Sequence, residues 1–314
     1  MRLRSDPGAL GAGHAASNER DGHEHSEKMR MSRKGRRLGL RPIHVLLFLA
    51  TFLTTTMAGS FQTGADPLAD PRLLLRGLPF SVTLMGILLF HEMGHFVLSR
   101  MHGVEATLPY FIPGPPILVG TFGAFIRMRT PTNRRALFDV GAAGPWAGFL
   151  VAIPAALYGL ARSEVHPLVP QAGGLILGDS LVFTVLTRMA LGVAPADVTI
   201  MLHPVALAGW FGLFVTFLNL LPVGQLDGGH VIYALLGRRH RWVARAALAA
   251  ILGLALLGWG GWVLWAFLVT MIGLDHPPTI DDTPLDPRRK LAAWLTIGLF
   301  AVTFMPVPIE IVGR

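Results

Sequence analysis

The segment LPFSVTLMGILLFHEMGHFVLS, residues 78–99, decides how the rest of the chain is read. It is apolar almost throughout, and at ~1.5 Å per helical residue it is long enough to cross the ~30 Å hydrocarbon core of a bilayer. Near its end stands His91-Glu92-Met93-Gly94-His95. On a helix this His-Glu-x-x-His spacing puts two imidazoles one turn apart on one face, in position to hold a zinc ion. The intervening Glu92 is then placed to act on a metal-bound water. Burying three such groups in hydrocarbon costs several kcal/mol unless they are paired, metal-bound or hydrated. A chain that carries them there uses them.

Composition agrees with a membrane address. Of 314 residues, 52% are hydrophobic and only 15% charged, against the ~25% charged expected of a soluble domain; the mean hydropathy is +0.52. The absence of cysteine excludes disulfides and thiolate ligands, so any metal must use His, Asp or Glu. The net charge of +8 is not a nucleic-acid signature, because the basic residues flank apolar runs. Residues 1–42 carry ten Lys or Arg against five acids, and 100–136 carry five against one, which is the pattern of cytoplasmic segments beside membrane helices.

Outward from 78–99, the expected fold is an all-α polytopic membrane protein of about 6–7 transmembrane helices, with a three-helix catalytic core and a short membrane-associated β-hairpin or loop. Residues 1–41, poor in large apolar side chains, read as a disordered basic cytoplasmic tail. Residues 42–314 form the membrane domain, with its core at about 78–230. Spans are expected near 43–60, 78–99, 138–160, 203–222 and 291–308. The segment 243–273 is one kinked helix or, as its length favours, a hairpin broken at Gly258-Trp259-Gly260-Gly261. The stretch 174–192, interrupted by Asp179 and Arg188, reads as interfacial or re-entrant. With the basic tail inside, every Arg cluster falls on one side, and His91 and His95 lie roughly 6–12 Å inside the membrane from the cytoplasmic face.

A zinc held by two His needs a third protein ligand and an open position. NLLPVGQLDGGH, residues 219–230, supplies candidates at the cytoplasmic end of its span. Pro222 and Gly224 break the backbone there, and Asp227 follows in the broken segment. His230 is a rival ligand, and a helix-capping role is the alternative for Asp227. Asp139 and Arg245 read as headgroup-facing. His44, His102, His203 and His276 read as membrane-boundary residues outside any cluster, and His166 and His240 as loop residues.

HEMGH and LDGG, about 130 residues apart, together resemble the site-2 protease family of intramembrane zinc metalloproteases (peptidase M50). The resemblance runs from about residue 78 to 308. It takes in GTFGAFIRMRTPTNRRALFDVGAAGPWAG (120–148) and the tail LDHPPTIDDTPLDPRRK (274–290), whose HPP resembles a bacterial and plastid branch. It implies one Zn2+ per chain bound by His91, His95 and Asp227, with Glu92 as general base and then proton donor. Asn219 matches a polar position that contacts the substrate backbone, and His230 becomes structural. The segment 161–202 is too short for the PDZ domain some members insert there. The implied activity is intramembrane cleavage of transmembrane segments, in a bacterial plasma membrane, with the site toward the cytoplasm. The partners are membrane-protein substrates and the bilayer, with no nucleic acid.

A substrate helix must unwind before it can be cut. PYFIPGPPILVGTFGAFIRM, residues 109–128, reads as a hairpin or loop whose edge strand, around Gly120, Gly123 and Phe125, pairs with the extended substrate. Close backbone packing is the competing account of the two glycines. A catalytically silent protease-like scaffold and a metal-handling membrane protein are the alternative functions. The intact HExxH and Asp227 count against the first, and the confinement of ionisable residues to two segments against the second.

Overall fold

The three longest helices start on prolines or a capping asparagine. The computed structural model describes residues 40–167, 174–194 and 198–312; the disorder expected of the tail falls on residues that, up to 39, lie outside this range. Helix α1 (Pro42–Gln62) begins on a proline, whose missing N–H is no loss in a first turn. A 3-10 turn at Pro71–Gly77 leads directly into α2 (Leu78–Met101), the helix of the apolar segment. Strands β1 (Tyr110–Pro113) and β2 (Thr121–Phe125) then form an antiparallel hairpin, where a hairpin or loop was expected. Asn133 caps α3 (Arg134–Leu160), its side chain accepting from the Ala136 N–H at 2.8 Å.

The second half is more broken. It runs through β3 (Glu164–Pro167), β4 (Gly174–Leu177), α4 (Leu181–Leu191), β5 (Val198–Met201), α5 (Pro204–Asn219) and α6 (Asp227–Leu236). It ends with α7 (His240–Leu257), α8 (Gly261–Ile272), α9 (Pro287–Thr303) and β6 (Ile309–Val312). β3 pairs with β5 and β4 with β6, both antiparallel.

The expected 6–7 transmembrane helices are not what forms. Among the described residues, three helical segments are long and apolar enough to cross a bilayer: Pro42–Gln62, Pro71–Met101 and Arg134–Leu160. The sequence reading merged apolar runs that the backbone interrupts. Helix α5 stops at Asn219, so its 16 residues reach only ~24 Å. The 243–273 segment divides at Gly258–Gly260 into α7 and the 12-residue α8, as the hairpin reading expected. Helix α9 ends at Thr303, ahead of Pro306 and Pro308. Segment 174–192, read as interfacial or re-entrant, is a strand followed by α4, which is capped by Ser180 and closed by Gly192.

Helix α3 is the central element, packed against α2, α5 and α6. Ile87, Ala152, Ala156, Trp210 and Leu213 are fully or almost fully buried where α2, α3 and α5 meet. Alanines on α3 against glycines on α5 (Gly209 on Ala156, Gly212 on Ala152) let these helices touch backbone to backbone, the packing mode of membrane helices. Leu46, Leu49, Leu53, Leu150, Phe267 and Met271 face outward and exposed, an apolar exterior suited to lipid. The chain is a multi-pass integral membrane protein.

Polar groups at one end of the bundle lock the elements together. Asp139, expected to face headgroups, instead accepts two hydrogen bonds from the Arg289 guanidinium at 2.9 and 2.7 Å and one contact from His102 at 2.8 Å. Three elements are thereby tied: the end of α2, α3 and α9. Buried Arg134 donates to the Ala234 carbonyl at 2.9 Å and to the Asp282 carbonyl at 3.2 Å, fastening the C-terminal turn of α6 to the 274–286 loop.

Candidate metal centre

His91 and His95 lie one helical turn apart on α2, and both are at least 94% buried. Their Nε2 atoms stand 3.1 Å apart. Asp227, the first residue of α6, brings its Oδ2 to 3.3 Å from each. Three donor atoms with edges of 3.1–3.3 Å form one face of a tetrahedron whose centre is about 2.0 Å from each. That is the bond length zinc takes with imidazole nitrogen and carboxylate oxygen. The face also leaves a fourth position open, as a catalytic site requires. Among the described residues this is the one cluster of three such donors able to share a metal ion. The rival ligand His230 is not part of it.

The surroundings prepare the donors. His95 Nδ1 is 2.8 Å from the Val140 carbonyl, which can only accept, so the proton sits on Nδ1 and Nε2 is left bare to ligate. Asp227 reaches the histidines because the chain between α5 and α6 is a tight turn through Pro222 and Gly224, the latter at φ +52°. Asn219, at the end of α5, puts its Nδ2 3.2 Å from His91 Nε2, so this expected substrate contact does enter the site.

Glu92 is 94% buried and stands outside the donor triangle. The backbone N–H of Ile126, one residue past β2, lies within reach of its carboxylate. The hairpin therefore ends beside the candidate base. Close backbone packing accounts for the first of its two glycines and not for the second. Gly120 (φ +81°) is pressed on α1, where Thr54 Oγ1 donates to its carbonyl at 2.6 Å and a Cβ would strike the Thr54 backbone. Gly123 (φ +100°) has open space around it. Phe125 is 44% exposed and stacks on Tyr110.

One set of site residues escaped the sequence reading. Gly141, Gly144 and Gly148 form a stripe on α3 that faces His230, His95 and His91 in turn. A Cβ at 144 would overlap the His95 imidazole, and one at 148 would stand 3.2 Å from the His91 Cβ. The signal was present in the spacing of GAAGPWAG (141–148), but small residues at that period serve ordinary helix packing equally well.

A polytopic membrane protein in which two histidines of an HExxH helix meet an aspartate from a second helix defines a class of membrane metal-site scaffolds. The comparison with known sequences names it: residues 79–258 match the model of peptidase family M50, and the chain belongs to that family. It is 33% identical over 242 residues to the probable zinc metalloprotease EGY1, chloroplastic, of Arabidopsis thaliana (73% of this chain, 43% of the relative). It is 31% identical over 261 residues to the protein of the same name in Oryza sativa subsp. japonica (78% and 44%). It is 30% identical over 253 residues to the probable zinc metalloprotease EGY2, chloroplastic, of Arabidopsis thaliana (77% and 44%). The chain thus spans less than half the length of these curated relatives.

Proposed function

We propose that this chain is a zinc-dependent intramembrane endopeptidase that cleaves transmembrane segments of membrane proteins. The observation that carries the reading is the triangle of His91, His95 and Asp227, with Glu92 beside it, buried on an apolar helix of membrane-spanning length in a family M50 chain. A zinc ion held by the three donors would supply Lewis acidity to a water and to the scissile carbonyl. Glu92 is placed to take a proton from the attacking water and to return it to the leaving amine. The Asn219 amide, aimed at the same face, orients the peptide carbonyl. The arginines that follow α2 in sequence (Arg100, Arg127, Arg129, Arg134 and Arg135) support a site toward the cytoplasmic face. Purified protein in proteoliposomes is expected to cut a single-span substrate within its membrane segment, to stop on chelation and to resume on zinc addition, with product termini mapped by mass spectrometry. An inactive protein would favour the silent scaffold, and cleavage indifferent to chelator would remove zinc from the reaction.

The edge of β2 is our candidate for holding the unwound substrate. β1 is covered by α1, while β2 has its second edge unpaired among the described strands and ends beside Glu92. Proline at 123 cannot take φ +100° and removes an N–H, so Gly123→Pro is expected to lower cleavage by about 10²-fold with bound zinc unchanged. Phe125→Pro carries the same expectation. Unchanged cleavage in both would remove β2 from substrate binding.

A further inference from the structure

The HPP segment was left without a role by the sequence, and the structure brings its His276 against His230 and Tyr233 of α6. His276, expected at a membrane boundary, has both ring nitrogens engaged. Its Nδ1 is 2.6 Å from the Pro277 carbonyl and its Nε2 is 2.7 Å from His230 Nδ1. A carbonyl can only accept, so His276 carries its proton on Nδ1 and its Nε2 is a bare acceptor. His230 must then donate from Nδ1. The direction of the whole chain is set by one peptide oxygen. Burial lowers both His230 and His276, in keeping with the neutral pair that this donor order requires.

The segment that presents His276 grips the metal ligand's turn on both sides. Upstream of Asp227, the Gly224 N–H donates to the Leu274 carbonyl at 3.1 Å. Downstream, His276 accepts from His230, whose backbone N–H closes the first turn of α6 on the Leu226 carbonyl at 3.0 Å. Residues 274–276 therefore bracket Asp227 three residues before and three after it. His230 packs closely on α3, where only glycine makes room for it: a Cβ at Gly141 would stand 2.7 Å from the His230 Cβ. His276 itself lies flat on Tyr233, with ring centroids 4.4 Å apart and planes at 23°. The Tyr233 hydroxyl accepts from the Thr279 N–H, which holds the same loop in place.

We propose that His276 is a positioning residue for the metal centre, acting through His230 to fix the turn that delivers Asp227. The proposal rests on the metalloprotease reading above. Hydrogen-bonded groups behind metal ligands set ligand orientation, and their loss typically weakens binding by ~10–100-fold. Here the acceptor atom is what matters, not the bulk of the ring.

The test is cobalt(II) titration of the full chain in detergent, followed through the d–d absorption bands, for wild type, His91→Ala, His276→Phe and His276→Gln. Phe keeps the stacking on Tyr233 and removes the acceptor; Gln restores an acceptor near the Nε2 position. His276→Phe is expected to weaken cobalt binding about 10–100-fold and to alter the band pattern, and His276→Gln to recover most of the affinity. His276→Met, flexible and without a strong acceptor, carries the same expectation if the Phe variant does not fold. Wild-type affinity in His276→Phe or His276→Met would overturn the proposal. So would equal losses in Phe and Gln, which would show a packing requirement. Wild type that binds no more cobalt than His91→Ala overturns the metal reading itself, and the proposal with it.

Discussion

Glu92→Gln is expected to abolish peptide cleavage while zinc stays bound. The two consequences separate because Glu92 is not among the three donor atoms, which belong to His91, His95 and Asp227. Glutamine has nearly the same volume, so a side chain that is 94% buried can be replaced without opening a cavity. What disappears is the capacity to accept a proton from water and return it to the leaving nitrogen. General acid–base catalysis is worth ~10²–10⁴ in rate, and both transfers fall on this one carboxylate. A fall in kcat/KM of at least about 10³-fold is expected, equivalent to ~4 kcal/mol of transition-state stabilisation. Zinc per chain, measured on the same preparation, should equal that of wild type. Loss of the metal together with activity would make Glu92 a structural support of the site, and retained cleavage would remove it from the chemistry.

Gly144→Ala is the second large effect, and it works in the reverse order. The methyl group would occupy space that the His95 imidazole now fills, so the ring or the helix must give way. The ring has little room to do so, because its Nδ1 is held by the carbonyl of Val140, which lies one turn before Gly144 on α3. Shifting His95 opens the 3.1–3.3 Å triangle, and a zinc site tolerates distance errors of only ~0.2 Å. Zinc content near background and cleavage reduced by about 10²-fold or more are expected. Gly86→Ala on α2 is the control, since a Cβ there meets nothing within 4 Å. It should leave metal and activity intact and stabilise its helix by up to ~1 kcal/mol. A fully metallated, active Gly144→Ala would show that α3 can move away from α2 at little cost.

The local chemistry of the site was legible because it is written in contiguous residues. The i, i+4 spacing of His91 and His95 needs only a helix to place both rings on one face, and the apolar run 78–99 supplies that helix. Asp227 could be nominated from its broken, Pro- and Gly-containing surroundings, but so could His230, three residues on. Spacing does not choose between them; the fold does, by turning His230 toward His276 and Asp227 toward the two imidazoles. The number of spanning helices was misread for a related reason. Hydropathy reports whether residues avoid water and not where backbone hydrogen bonding stops. It therefore ran past Asn219 and Thr303, where the helices end, although each run lay beside prolines that forbid continuation. Asp139 looked like a headgroup contact because its partner Arg289 is 150 residues away.

The sequence by itself determined that this is a membrane protein, that a two-histidine metal motif lies within an apolar helix, and that a carboxylate, Glu92, stands between the two histidines. These are properties of composition and of periods shorter than two helical turns. Only the tertiary structure decided which third ligand closes the triangle, that glycines on α3 make room for the imidazoles, and that the loop 274–276 clasps Asp227 from both sides. Each of those depends on a contact between residues far apart in the chain. Such contacts are set by how closely backbones can approach and which buried polar atoms must find partners, and neither quantity has a period that a linear reading can detect.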